Sequence, residues 1–257
     1  MTSFTFGTTD LSTIGNITVI DEYLDMPERR GENQTVAFRH GTIFTEKFFN
    51  ERKITFGIAI IKNTLADLET ALDTLRLVLS PRTQQTLTIV FENASTKTAL
   101  ATVDRSIEVT RTQTMARVMV EFTLTSPFLR DALAIADNTM TIDADPINLV
   151  FDNTGTAEER DPTILISGPF SSVTLTNVGI SVTYTGAIGA GETVEIGTLN
   201  GEYYATHSVS GNVIGNVTHA GSSCLLPIPT GTNTVTVTSA GGNNTGTVKI
   251  SFYPPYV

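Results

Sequence analysis

Apolar and polar residues alternate along most of this chain, and in one place the period changes. Val118, Val120, Phe122 and Leu124 are separated by single residues, as are Leu87, Ile89 and Phe91, and Lys53–Ile61 is mostly apolar. A period of two puts every second side chain on one face, so each segment predicts a half-buried strand, with Ile107 and Val109 marking another. Between them Leu65, Leu68, Leu72, Leu75 and Leu79 recur at spacings of three and four, which places them on one stripe of a helix. Thr64 and Asp67 have capping-box spacing at its start. Ser80-Pro81 ends it, because a residue before proline is driven out of the α region. The prediction is a mostly antiparallel sheet with one helix against it.

After Pro162 strands recur about every ten residues: Thr163–Ile166, Val173–Thr176, Ile180–Tyr184, Thr193–Ile196, Glu202–Thr206, Cys224–Ile228, Asn233–Thr238 and Thr245–Phe252. Glycine-rich turns such as Gly186–Gly191 and Ala240–Asn244 separate several of them. Short strands at this spacing predict a β-sandwich or jelly roll. The pattern breaks between Asp143 and Pro162, and Asp152–Pro162 is polar and turn-forming, so the linker is expected there. The expected division is residues 1–153 and 154–257, and the fold class is mainly β, a β-rich α+β arrangement.

Charge narrows the range of functions. Only 16% of residues are charged, against roughly 25% in typical soluble domains. The formal net charge is −10, which disfavours direct nucleic-acid binding yet suits a wall past which nucleic acid slides without adhering. Residues 157–257 carry two basic side chains, Arg160 and Lys249, against six acidic ones. Their surface is suited to neutral contacts, either sugar hydroxyls or another protein. Cys224 is alone, so neither a disulfide framework nor a cysteine-based zinc site is expected. The N-terminal residues lack the pattern of a signal peptide, and no apolar stretch is long enough for a membrane span, so no membrane insertion is expected. Five Asn-x-Ser/Thr matches, at Asn16, Asn33, Asn93, Asn216 and Asn243, are expected by chance in so Asn- and Thr-rich a chain.

Catalytic chemistry finds little support. His40, His207 and His219 share no metal-ligand spacing. Asp143-Ala-Asp145 lacks the glycine and terminal glutamate of an EF-hand loop, and Gly186–Gly191 lacks the lysine and following helix of a phosphate loop. No G-x-S-x-G elbow is present. The expectation is no enzyme, no cofactor and no metal. Tyr203 and Tyr204 point to opposite faces of a strand, as a core and a rim residue or with one as a sugar-stacking platform.

The densest charge lies in Pro27–Gly41, followed by Phe44, Phe48 and Phe49. Arg29, Arg30, Arg39 and Arg52 beside these three aromatics have the composition of an interface anchor, or equally of a solvated hairpin.

Three stretches resemble the distal tail proteins of siphophages. The first joins Met26-Pro27 and its basic run to Val36–Ile43 and Glu51–Phe56. The second is the leucine helix with the strands ending in Phe122-Thr-Leu-Thr-Ser-Pro-Phe128. The third comprises Asp161–Gly168, Gly189–Ile196 and Leu226–Val235. They occur in the family's order over nearly the whole chain, and Gly197 stands where an acidic residue is common.

The resemblance implies a structural hub: a homo-hexameric ring at the distal end of the tail tube, built by the N-terminal domains. The C-terminal galectin-like sandwich would project outward and hold receptor-binding or side-fibre proteins. Tail-tube and tail-tip proteins are the implied partners, DNA passes through the lumen, and the virion tail tip is the implied location after synthesis in the host bacterial cytoplasm. Arg29, Arg30, Arg39, Phe44, Phe48, Phe49 and Arg52 are then candidate subunit contacts. The alternatives are a carbohydrate-binding module or adhesin recognising host surface glycans, and a tail-tube subunit.

Overall fold

The computed structural model describes residues 3–21, 26–31, 34–35, 42–43, 48–91, 93–135, 138–199, 202–221, 225–241 and 246–257. The chain divides into two units, Met1–Ala132 with Val257, and Leu133–Tyr256.

In the first unit β1 (Ser3–Phe6), β2 (Asn16–Asp21), β3 (Arg52–Ile61), α1 (Leu65–Leu79), β4 (Gln85–Val90), β5 (Thr96–Arg111), β6 (Met115–Leu124) and β7 (Leu129–Asp131) follow in order. The strands pair antiparallel as β1-β4-β5-β6-β3-β2, with Thr9–Asp10 beyond β1 and β7 also on β5. The alternation legible in the sequence sets the buried face: Ile54, Phe56, Ile58 and Ile60 from β3, Val118, Val120, Phe122 and Leu124 from β6, Leu87 and Ile89 from β4. β1 and β2 have no counterpart among the predicted strands. The side chains of Ile107 and Val109 lie outside the described residues.

The sheet rolls up. β1 and β3 stand four places apart in the strand order, about 19 Å in a flat sheet at the usual strand spacing. Yet the ring centroids of Phe4 and Phe56 are 4.2 Å apart, Phe56 and Phe122 5.6 Å, and Phe6 and Phe122 5.1 Å. The four rings form one buried spine inside the curl. Two register shifts in β5, between Val103 and Arg105 and between Glu108 and Thr110, supply bulges that increase local bend and twist.

Helix α1 starts where expected. The Asp67 N–H donates to the Thr64 hydroxyl oxygen at 3.1 Å, and that hydroxyl donates to the Asp67 carboxylate at 2.7 Å. Thr64→Ala is expected to cost about 1 kcal/mol, the usual value of an N-cap, read as a lowered midpoint in urea unfolding. An unchanged midpoint would show that tertiary packing alone holds the helix start. The buried stripe is Leu68, Ala71, Leu72, Leu75 and Leu79, whereas Leu65 is 47% exposed. Leu65 departs from the expected stripe because the first turn does not press onto the sheet. A recess lined by Ile14, Ile61, Asp67, Thr70 and Ala71 lies beside it. Arg111 of β5 ties back to Glu69 of the helix at 2.8 Å.

The second unit holds β8 (Thr139–Thr141), β9 (Ile147–Asn153), β10 (Thr163–Ser167), β11 (Phe170–Asn177), β12 (Ile180–Ile188), β13 (Thr193–Leu199), β14 (Glu202–His207), β15 (Val217–Ala220), β16 (Gly231–Ala240) and β17 (Thr247–Ser251). One sheet runs β8-β17-β10-β13-β14 with Gly211–Asn212 at its edge, and the other runs β9-β16-β11-β12-β15. Ile164, Ile166, Val194 and Ile250 from the first sheet and Val173, Leu175, Val182 and Val235 from the second share one buried cluster. This is the expected sandwich, and the chain as a whole is β-rich.

The units part between Ala132 and Leu133, not at 153/154. Ile147, Leu149 and Phe151 alternate with polar residues, and β9 pairs with β16 from Ile147↔Val237 to Asn153↔Gly231, so it belongs to the sandwich. The Asp152–Pro162 stretch read as a linker is built into the same unit. Asn153 is buried there, donating to the Ala157 carbonyl at 2.9 Å and the Ile228 carbonyl at 3.0 Å, while its own oxygen accepts from the Gly155 N–H at 2.9 Å.

The strand expected over Cys224–Ile228 is also absent from Leu225–Ile228. This stretch is buried, but among the described residues it makes only one bridge, Ile228 to Glu159. Pro227 and Pro229 cannot donate to a ladder, so a strand is unfavourable there. Asparagine side chains serve carbonyls within it and just after it instead: Asn177 donates to Pro227 O at 2.7 Å, and Asn233 to Pro229 O and Gly231 O at 2.9 Å each.

Candidate subunit-contact site

Arg29–Arg30 and Phe48–Phe49 pair antiparallel, Arg29 opposite Phe49 and Arg30 opposite Phe48, as a two-stranded ribbon. The Asn50 N–H donates to the Glu28 carbonyl at 2.7 Å and closes the ribbon's base. The Arg29 guanidinium carbon stands 5.1 Å from the centre of the Phe49 ring, within the range of a cation–π contact. Phe49 in turn meets Phe128 edge-on at 5.7 Å. Neighbouring residues of a strand point to opposite sides, so Phe48 turns away from this stack and is 43% exposed.

Beside the ribbon lies a cleft of about 850 Å³, lined by Met26, Pro27, Arg30, Phe49, Arg52 and Lys53 among others. Met26 is exposed, and Arg52 is buried in the cleft wall. Lys53 belongs to an ion network on the outer face of the sheet. It reaches Glu121 at 3.2 Å and Asp104 at 3.5 Å, and Arg105 reaches Glu121 at 2.9 Å. The hydrogen bond and charge of Glu121 hold the Lys53 ammonium above the ordinary lysine range, with Asp104 adding to the effect. Asp104 falls at the bulge of β5, and its carboxylate also accepts from the Thr123 hydroxyl at 2.6 Å.

Of the residues singled out from the sequence, Arg30, Phe49 and Arg52 line this cleft, Arg29 covers the Phe49 ring, and Phe48 points away. Arg39 and Phe44 lie outside the described residues, as do His40 and Cys224. Met26, Lys53 and Phe128 complete the arrangement and were not singled out as contacts. Met26 and Phe128 stand beside prolines in two of the stretches that carry the family resemblance, the signal by which they could have been found.

The other chemical candidates have local explanations. The Nδ1 of His207 accepts from the N–H groups of Val209 at 3.1 Å and Ser210 at 3.3 Å, so the imidazole caps its own turn. Its Nε2 faces Glu192 at 3.4 Å. Asp145 accepts from the Ser239 N–H at 3.1 Å, and Gly186 lies within β12. Among the described residues no group of three or more His, Cys, Asp or Glu side chains could hold a metal ion, and no helix is long and apolar enough to cross a membrane.

Residues 10–124 match the family described as the phage tail protein RIFT-related domain. Among solved structures the chain is similar to SPP1 Dit, described as a paradigm of the hub adsorption apparatus in phages infecting Gram-positive bacteria. The TM-score is 0.69, with 14% identity over 98% of each chain. Two structures of the phage P2 baseplate in its activated conformation, with Ca and with Sr, give TM-scores of 0.49 and 0.48. Their identities are 8% and 9%, over 99% of each chain. Comparison with curated protein sequences gives no match. The SPP1 Dit likeness establishes a β-rich fold of that type, and the resemblance to siphophage distal tail proteins read from the sequence holds.

Proposed function

We propose, from the match of residues 10–124 to the phage tail RIFT-related domain family, that this chain is a structural hub of a siphophage tail. Six copies form a closed ring at the distal end of the tail tube, built by the N-terminal unit. The C-terminal sandwiches project outward and anchor receptor-binding or side-fibre proteins, and DNA passes through the lumen. The carrying observation is the phage tail domain match, followed in the same chain by a sandwich, in an arrangement that parallels SPP1 Dit over 98% of both chains. A net charge of −10 supports the lumen reading, since an acidic wall repels a passing polyanion. The role is assembly rather than catalysis, with no cofactor required, and the chain's place is the virion tail tip.

A closed ring needs a heterologous contact, in which one patch meets a different patch on the neighbour. The Arg29–Phe49 ribbon is proposed as the projecting half. Phe48 supplies an exposed aromatic, and Phe49 is stiffened by its contacts with Arg29 and Phe128. Light scattering should give six times the 27.6 kDa of one chain, with six-fold rings in negative stain. The double variant Phe48→Asp, Phe49→Asp is expected to run at the mass of one chain while keeping the wild-type far-UV spectrum. An intact ring in that variant would remove the ribbon from the contact, and a wild-type chain that stays monomeric at every concentration would refute self-assembly without tail partners.

A further inference from the structure

On the outer face of the β8–β17–β10–β13–β14 sheet, Gly197 of β13 is registered opposite Tyr204 of β14. A Cβ at Gly197 would stand 2.9 Å from the Tyr204 Oη, 3.1 Å from Cε1 and 3.1 Å from Cζ. Those three atoms bend around Cζ, and a point almost equidistant from all of them lies out of the ring plane. The hydroxyl end of the phenol therefore crosses over the glycine, and the side chain stays partly exposed on the outer face. It is held in that pose from two directions. The hydroxyl donates to Glu195 Oε1 at 2.6 Å and is also hydrogen-bonded by the Thr163 side chain. Burial, followed by the Glu195 bond and charge, pushes the Tyr204 hydroxyl up to about 12, so it remains a donor throughout the neutral range.

We propose that this face binds a neutral saccharide, with Tyr204 as the stacking platform and Glu195 as the hydroxyl acceptor. A pyranose presents C–H groups on one face and hydroxyls around its rim. It therefore needs a rigid apolar plane with acceptors beside it. Tyr204 supplies the plane, already ordered, so little conformational freedom is lost on binding. Glu195 Oε1 is taken by the tyrosine, while Oε2 has no protein partner among the described residues, which leaves a charged acceptor free next to the ring. The exposed Thr206, opposite Glu195 in the ladder, adds a hydroxyl. Neutrality follows from the surroundings: residues 157–257 hold only Arg160 and Lys249 as cations, and a carboxylate at the platform's edge repels an anion.

Saturation-transfer NMR on the full-length protein, with lactose, maltotriose and N,N′-diacetylchitobiose as separate probes, tests this directly. At least one probe is expected to receive saturation on its ring C–H protons and to shift the Tyr204 ring resonances. Tyr204→Ala should abolish the transfer. Tyr204→Phe keeps the plane but loses the hydroxyl's bonds, and should weaken binding about tenfold or less. Absence of transfer to all three probes overturns the proposal, as does undiminished transfer in a Tyr204→Ala variant with the wild-type far-UV spectrum. If that variant fails to fold, the wild-type resonances decide: probe-induced shifts at Tyr204 support the site, and shifts confined elsewhere overturn it. Ring formation is read by mass, so saccharide binding and hub assembly stand or fall separately.

Discussion

Asn153→Ala is expected to remove about 4 kcal/mol from the stability of the C-terminal unit, since each buried polar group left unpaired costs roughly 1–3 kcal/mol. The side chain is 2% exposed and serves three backbone groups at once: the carbonyls of Ala157 and Ile228 and the N–H of Gly155. Alanine leaves the Ala157 carbonyl and the Gly155 N–H without that partner, while the Ile228 carbonyl keeps the Glu159 N–H at 3.0 Å. Against a domain stability of roughly 5–15 kcal/mol, that is a large fraction. Guanidinium unfolding followed by far-UV circular dichroism should show the midpoint of one transition falling steeply. Asn153→Asp separates the contributions, because it keeps an acceptor for Gly155 and replaces the amide donor with a carboxylate facing two carbonyls. It should be at least as damaging as alanine. A loss under about 1 kcal/mol in both variants, no more than one ordinary hydrogen bond, would show that the loop repacks without the asparagine.

Phe56→Ala is the second large effect, at about 4 kcal/mol, within the usual range for truncating a core phenylalanine. The Phe56 ring is fully buried and lies between Phe4 and Phe122, so its removal opens a cavity and breaks the aromatic spine in the middle. The consequence differs from that of an ordinary core deletion, because Phe4 and Phe56 come from strands four places apart. The variant should lose protection from hydrogen exchange in β1, whose ladder partners among the described residues are β4 and Thr9–Asp10. Phe56→Leu should recover more than half of the loss by refilling most of the volume. Unaltered exchange in β1 would mean that the strand ladders alone hold the curl.

How much of this was legible in the sequence depends on the range over which each cause acts. The capped helix, the strand of residues 115–124 and most strands between 163 and 252 were readable because capping and alternation are local, whereas Val217–Ala220 had no expected counterpart. The rolling of the first sheet was not. The phenylalanines at 4, 6, 56 and 122 are unremarkable in the sequence, and their meeting depends on strand order, which periodicity does not specify. The division at 132/133 was hidden by turn residues around β9, although Ile147, Leu149 and Phe151 carry the correct period. Leu225–Ile228 misled in the opposite sense: its apolarity reported burial, while the prolines beside it forbade the ladder. At the candidate contact the basic residues and phenylalanines were visible as composition, but the stacking of Arg29, Phe49 and Phe128 required the register of the ribbon. Tyr204 was flagged only as one of two opposed tyrosines. Its place over Gly197 emerged from pairing across two strands.

The prolines that keep Leu225–Ile228 out of a ladder also matter before the sandwich exists. Leu-Leu-Pro-Ile is among the most apolar runs of the C-terminal unit, and on a nascent chain it is exposed until the buried cluster of the sandwich forms. Short apolar segments with strand propensity and no charge are the kind that stack between chains into cross-β aggregates. Pro227 and Pro229 remove two donors from such a stack, as gatekeeper residues do. The asparagine carbonyl partners that this demands in the finished fold are thus the counterpart of protection against aggregation before the chain has folded.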